Sequence, residues 1–238
     1  MIPIRDLNPS RTTPVVNIVL IAANALLFIY ELSLGSRVEG FLMQSAFIPA
    51  RIFEDDVLYP SEIAWGLQSG LLSMFLHGGW GHVLGNMLFL WVFGDNVEDR
   101  LGHTRYLIFY LLSGYAATFA HAFFNPLSAV PAIGASGAIS GVLGAYLFLH
   151  PMARIVTVFW FFIFVRFIEI PALVYLPIWF AIQLLSGVSS LRVADATAGG
   201  VAWFAHIGGF IAGPIFLLLL GGFRRRRRRD PDYRELHW

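Results

Sequence analysis

Apolar residues fall along this chain in long runs separated by short polar stretches. A helix needs about 20 mostly apolar residues to cross the hydrocarbon of a bilayer. Six runs are candidate spans: Val15–Leu34, His82–Val97, Arg105–Phe124, Ile133–Leu149, Ile170–Val188 and Val201–Leu220. The second and fourth are short, which suits helices enclosed by others better than helices facing lipid along their whole length. Ile155–Val165 is apolar too, but its 11 residues are too few to cross. Extended to residue 187, it is too long for one helix and is interrupted by Pro171 and Pro177. We read 155–168 as interfacial or re-entrant, with the fifth span starting near Pro171, where a first-turn proline is tolerated.

The loop between the first two spans, about 35–80, carries Glu39, Glu54, Asp55, Asp56 and Glu62 beside Trp65 and Phe75. A loop of this size with amphipathic pieces is usually functional, and we expect it to lie partly in the outer leaflet. The pattern predicts an all-α membrane protein, a six-transmembrane-helix bundle over 15–221. A cytoplasmic segment, 1–14, precedes it, and an arginine-rich cytoplasmic tail, 222–238, comes after it.

Composition agrees. The 238 residues are 57% apolar and 13% charged, with a mean hydropathy of +0.68; soluble domains are about 45–50% apolar and about 25% charged. All 16 basic residues are arginine, and seven of them are Arg224–Arg229 and Arg234. A basic block just after an apolar helix reads as a cytoplasmic stop signal rather than a nucleic-acid site. With six spans and the N-terminus inside, thirteen arginines lie inside and three (Arg37, Arg51, Arg192) outside. A seventh span would move the arginine run outside. Asn17, Asn24 and Glu31 within the first run, and the lack of a small-residue cleavage site, mark a retained span rather than a signal peptide. The chain has no cysteine, so disulfides, thiolate metal sites and cysteine nucleophiles are excluded.

Polar residues inside spans are costly and point to function. Three groups fall at one membrane side. The first is His77-Gly-Gly-Trp-Gly-His82-Val-Leu-Gly-Asn86, with His82 and Asn86 four apart on one helix face. Taken alone it also fits an interfacial histidine and an asparagine bonding a neighbouring helix. The His-x4-His spacing could bracket a metal, but no carboxylate accompanies it in the span. The second is Gly134-Ala-Ser136-Gly137, with Ser140, Gly141 and Gly144 after it. Small residues four apart let helices approach closely. They do not explain a serine at a helix N-terminus, where free N–H groups and the dipole favour an oxyanion. The third is Ala205-His206-Ile-Gly208-Gly209, with Gly213 beyond.

Ser136 and His206 each lie a few residues inside the outer end of their spans. At 1.5 Å rise per residue, their depths match to within about one turn, and close packing of the two spans would bring them together. A serine beside a base is the minimal unit for acyl transfer. Ser136 would be the nucleophile and His206 the general base. His82, Asn86 and the Ser136 backbone N–H would stabilise the oxyanion. Asp195, the nearest carboxylate in sequence, lies in a loop, so a dyad is expected rather than a triad.

H-x4-H-x3-N, G-A-S-G and A-H-x-G-G-x3-G, in this order on the second, fourth and sixth spans, resemble the rhomboid intramembrane serine proteases over about residues 15–221. The resemblance implies cleavage of single-pass transmembrane proteins on the outer side, within or near their membrane segment. It implies membrane lipids as surroundings, and no metal or nucleotide cofactor. It matches Ser136 and His206 to the catalytic pair and His82 and Asn86 to the oxyanion positions. His77 matches a structural histidine, and Gly209 and Gly213 match packing glycines. It also implies a prokaryotic cell membrane, and the arginine count places both termini on its cytoplasmic side. The chain departs from many members by Trp65-Gly66 in place of Trp-Arg, and by Ser140 where some carry an aromatic ring supporting the histidine. Two other readings compete: a non-proteolytic, substrate-binding protein on the same scaffold, and a small transporter with histidine proton relays. The first would not need Ser136 and His206; the second needs a polar path through spans four and six, whose deep parts are apolar.

Overall fold

The computed structural model describes residues 2–53, 59–161, 164–190 and 202–222. Outside them fall Glu54, Asp55, Asp56, Arg192, Asp195 and the arginine-rich tail with Arg224–Arg229 and Arg234. The chain opens with β1 (Ile2–Asp6), α1 (Val15–Ser33) and a 3-10 turn (Gly35–Arg37). The first loop contributes α2 (Val38–Ser45), α3 (Ala50–Phe53) and α4 (Pro60–Ser73). Then come α5 (Trp80–Leu101), α6 (His103–Phe124), α7 (Ser136–Leu149), β2 (Arg154–Phe161), β3 (Phe164–Pro171), α8 (Ala172–Ser190) and α9 (Trp203–Leu219). A helix thus stands at each of the six expected positions. By length and apolar composition alone, α1 and α6 are sufficient to cross a bilayer. Helix α5 outruns its expected end and carries Asp95, Glu98, Asp99 and Arg100 in its last turns, stopping before Gly102 at φ +80°.

Helix α1 is inverted relative to a helix of a soluble protein. Its buried positions are Asn17, Leu20, Asn24, Phe28 and Glu31, at helical spacing, whereas Val15, Val19, Leu26 and Ile29 are exposed. A stripe with polar residues inward and aliphatic residues outward fits an apolar surrounding. Each inward polar side chain makes at least one hydrogen bond, although Asn24 Oδ1 is without a partner among the described residues. Asn17 donates to the Leu90 carbonyl at 2.9 Å and accepts from Tyr106 Oη at 2.8 Å. Asn24 donates to the Leu20 carbonyl at 2.7 Å. At the other end, the buried Glu98 carboxylate of α5 accepts from the backbone N–H groups of Val16 and Asn17 at 2.9 and 2.7 Å. It thereby satisfies two of the donors that a helix N-terminus leaves free.

Helix α7 is the centre of the bundle. Its residues 137–146 are all buried, and it packs against α5, α6, α8 and α9. The core around it contains Leu90, Phe93, Tyr106, Phe109, Tyr110, Val142, Leu143 and Leu217.

The all-α expectation is corrected. Within segment 155–168, residues 155–161 and 164–168 are extended and belong to an antiparallel pair, β2–β3, and residues 2–6 pair with β2 to make a sheet of order β1-β2-β3. The run Ile155-Val-Thr-Val-Phe is rich in β-branched residues, which suit a pleated strand. The sheet is pinned under the bundle, with Ile155 and Thr157 fully buried. The N-terminal segment, expected as a cytoplasmic piece, thus contributes a strand from residue 2.

The strand β1 is latched by Asp6, whose Oδ2 accepts from Tyr146 Oη at 2.5 Å and from Asn96 Nδ2 at 3.0 Å. Burial above all, with Asp95 nearby, lifts this carboxyl to about 6 in spite of the hydrogen bond from Tyr146. The folded chain holds the proton more tightly than the unfolded chain, so stability falls as pH rises from 3.8 to about 6. Thermal unfolding in detergent is expected at a higher temperature near pH 5 than near pH 7. Asp6→Asn should flatten that difference; an undiminished pH dependence in the variant would place its origin elsewhere.

Candidate active site

Three helices, α5, α7 and α9, begin at the same end of the bundle and carry the three motifs at or just before their first two turns. Ser136 is the first residue of α7, and His206 is the fourth of α9. Ser136 Oγ and His206 Nε2 are 2.7 Å apart. The first intrahelical bond of α7 runs from Ile139 N to the Ala135 carbonyl at 2.9 Å. The N–H groups of Ser136, Gly137 and Ala138 thus have no acceptor within the helix.

Glycines create this proximity. A Cβ on Gly209 would lie 2.1 Å from the Gly137 carbonyl oxygen, and one on Gly213 would lie 2.0 Å from that of Gly141. A Cβ on Gly144 would meet the Phe210 carbonyl at 2.1 Å. The backbones of α7 and α9 therefore touch directly over two turns, and Ser136 and His206 face each other at the open end of that seam.

The second motif folds beside them. Gly134 has φ +122°, a conformation that side-chain-bearing residues avoid. A Cβ there would lie 2.6 Å from His82 Nε2 and 3.5 Å from Ser136 Oγ. His82 and Ser136 thus border one small space above Gly134. The segment before Ser136 is anchored to the first loop: Gly134 N donates to the Ser73 carbonyl at 2.8 Å, and Ser73 Oγ accepts from Phe47 N at 2.7 Å. Phe47 in turn stacks on Trp65, over which the Arg51 guanidinium sits 5.4 Å from the ring centroid.

Asn86 Nδ2 donates to His77 Nε2 at 2.9 Å, and His77 Nδ1 donates to the Phe75 carbonyl at 3.2 Å. These two bonds are compatible with one neutral tautomer, proton on Nδ1. The His77 backbone N–H donates to the Glu31 carboxylate at 3.2 and 3.3 Å. One of the two amide hydrogens of Asn86 is thereby engaged and the other is left for a further acceptor.

Around His206 the structure supplies the neighbours that the sequence left open. His206 Nδ1 lies 2.7 Å from Gln183 Oε1. The ring faces Trp179 at 6.1 Å between centroids, tilted by 35°, and Trp203 at 6.0 Å, edge-on at 88°. Trp179 and Gln183 are four apart on α8 and so share a face. Ser140, standing where some rhomboids carry an aromatic ring, donates instead to the Ser136 carbonyl at 2.6 Å.

The family model of the rhomboid domain matches residues 64–223, two thirds of the chain and all three motifs. This chain belongs to the rhomboid family. It is similar to Rhomboid-like protein 11, chloroplastic, of Arabidopsis thaliana, with 26% identity over 84% of this chain and 67% of the relative. It is also similar to Rhomboid protein 1, mitochondrial, of Saccharomyces cerevisiae, with 28% identity over 60% of this chain and 39% of the relative. Over 33% of this chain and 15% of the relative it is 42% identical to Rhomboid protease GluP of Bacillus subtilis. The matched part thus spans between 15% and 67% of these relatives' lengths. As a rhomboid it is a membrane protein. Two of these relatives are named for a chloroplast and a mitochondrion and the third comes from a bacterium, so they do not select the prokaryotic membrane expected from the resemblance.

Within this rhomboid, all four expected site residues fall at one end of the bundle. The pairings differ from expectation in two respects. Asn86 bonds His77, expected only as a structural histidine, and Gln183 and Trp179 were not anticipated. The signal for Gln183 was present: it is an amide in an otherwise apolar span. Glu31 stood out in the sequence only as a mark of a retained span.

The seam can be tested directly. Gly209→Ala puts a methyl group against the Gly137 carbonyl and is expected to destabilise the protein by about 1–3 kcal/mol. Unfolding in detergent measures this, and an unfolding temperature equal to that of the wild type would show that the helices have room to spare.

Proposed function

We propose that this rhomboid is an intramembrane serine endopeptidase that uses Ser136 and His206 as a dyad. Its substrates would be single-pass transmembrane proteins, cut within or near their membrane segment. The observation that carries the reading is the 2.7 Å approach of Ser136 Oγ to His206 Nε2 at the N-terminus of a buried helix. Membership of a family that includes named proteases supports it.

In this reading the Ser136 hydroxyl proton passes to His206 Nε2 as Oγ bonds the scissile carbonyl carbon. The carbonyl oxygen becomes an oxyanion beside the free N–H groups of α7, the remaining Asn86 amide hydrogen and His82. Collapse breaks the C–N bond, and the Nε2 proton goes to the leaving amine. Water then attacks the acyl-serine with His206 again as base. The six helices at the expected positions would all cross the bilayer. Both termini would face the arginine-rich side, where Arg100, Arg105 and Arg154 flank the ends of α5, α6 and α7. The first loop, with its three short helices, would lie partly in the opposite leaflet.

The deciding experiment compares the full chain with Ser136→Ala and His206→Ala on a single-pass substrate in detergent. Both variants are expected to be inactive, and a fluorophosphonate should label the wild type but not Ser136→Ala. Cleavage that persists in either variant would refute the dyad. A wild type that binds such substrates without cutting them would favour the substrate-binding alternative.

Asn86→Ala and His82→Ala are each expected to slow cleavage roughly ten- to a thousandfold as single oxyanion donors. Unchanged kcat in both would reduce these residues to packing.

A further inference from the structure

Gln183 lies on α8, outside every motif that led to the site, yet it makes the closest polar contact to the far side of the His206 ring. Both residues are 8% exposed. Gln183 Oε1 is 2.7 Å from Nδ1, while Nε2 is 2.7 Å from Ser136 Oγ. The imidazole is thus held at both nitrogens, and the two bonds are linked through the tautomer. A neutral ring carries one proton, and the nitrogen without it is the acceptor. If Nδ1 donates to an amide oxygen, Nε2 must present its lone pair to the serine.

We infer that Gln183 is a positioning residue: its amide oxygen accepts the Nδ1 proton of His206 and so holds Nε2 as the acceptor for the Ser136 hydroxyl proton. The role rests on the protease reading of this site. Trp179, one turn earlier on α8, walls the same ring and limits its rotation. When Nε2 takes up the serine proton, both ring nitrogens become donors, and Gln183 continues to accept at Nδ1. The bond therefore survives the step and requires no rearrangement.

A carboxylate in this place would do the same work with a full charge. Gln183 is neutral, and its oxygen dipole offers weaker stabilisation of the imidazolium. The other titratable groups facing His206 are His82 of α5 and His121 of α6; neither is an anion. Gln183 is thus the acceptor that α8 brings to the ring, while α7 contributes Ser136.

The test uses the full chain in detergent, cleaving a single-pass substrate, with Ser136→Ala as the zero of activity. Gln183→Leu keeps much of the bulk and removes the acceptor; its kcat is expected to fall by roughly tenfold to ten-thousandfold, with KM within about twofold, as when a histidine loses the partner that fixes its tautomer. Gln183→Glu restores an acceptor and should recover kcat. Its carboxylate stabilises the imidazolium, so the acid limb of its kcat/KM profile should move to higher pH. A residue that served packing alone would leave that limb in place. Should Gln183→Leu not fold, the profile of Gln183→Glu decides by itself.

A Gln183→Leu variant with wild-type kcat, or an acid limb of Gln183→Glu that coincides with the wild type, overturns the role of Gln183 and leaves the dyad standing. Cleavage by Ser136→Ala overturns the dyad instead, and the role of Gln183 in the reaction with it.

Discussion

The constraint on which the rest depends is the direct contact of two backbones. Helices α7 and α9 run side by side, with Gly137 against Gly209 and Gly141 against Gly213. Each pair is four residues further along than the last, so the helices are parallel and in register. No side chain intervenes, and a shift by one residue would drive Ser140 or Phe210 into the seam. Register therefore fixes depth: Ser136 precedes Gly137 by one residue, and His206 precedes its seam partner Gly209 by three. Pro214 contributes as well. It lacks the N–H that would bond the Phe210 carbonyl, and that carbonyl lies against Gly144. The contact is thus made by a carbonyl group that a regular helix would have kept occupied.

A bundle set in an apolar surrounding cannot rely on hydrophobic burial to hold helices together. This rhomboid places its polar residues where helices meet. Asn17 ties α1 to α5 and α6, Glu98 caps α1 from α5, and Glu31 holds the backbone of His77. The last of these reaches the site, because His77 accepts from Asn86. A carboxylate on the first helix therefore helps to orient an amide on the fifth. The interactions that assemble the bundle at that end are the same ones that arrange the proposed oxyanion donors, so assembly and pre-organisation are one process there.

The parts of this arrangement legible in the sequence were those written as local spacing. His206, Gly209 and Gly213 recur at intervals of three and four, and Gly137 and Gly141 just after Ser136 at four; periodicity projects such intervals onto one helix face. Asn86 and His82 were legible for the same reason. The sheet was not. Residues 155–161 are apolar almost without a break, and continuous apolar runs do not distinguish a buried strand from a helix segment; the partner strand, residues 2–6, is about 150 residues away in sequence. The partner of Asn86 escaped notice because it is set by a tautomer, and tautomers are decided by neighbours on other elements. Gln183 stood in plain view as a polar residue in an apolar span. What hid its role was that nothing in local spacing says α8 turns that face toward α9.

The neutral character of Gln183 is explained by where it lies. A serine–histidine pair needs the histidine proton on Nδ1, and any acceptor can hold it there. In a water-filled cleft a carboxylate adds charge stabilisation at little cost. Beside a ring that is 8% exposed, in a bundle whose outer surface is aliphatic, an ionised carboxylate would face a desolvation penalty of several kcal/mol in the resting state. The benefit would return only while the imidazolium exists. An amide oxygen carries no net charge to desolvate, needs a single good hydrogen bond, and finds it in Nδ1–H. The trade is a less stabilised imidazolium for a resting site that is stable when buried. Of the carboxylates enclosed elsewhere in this bundle, Asp6 and Glu98 each accept two or more N–H or O–H donors, while Glu31 accepts the single His77 backbone N–H on both oxygens. At Gln183 the donor is the His206 Nδ1–H, and an amide oxygen meets it with no net charge to desolvate.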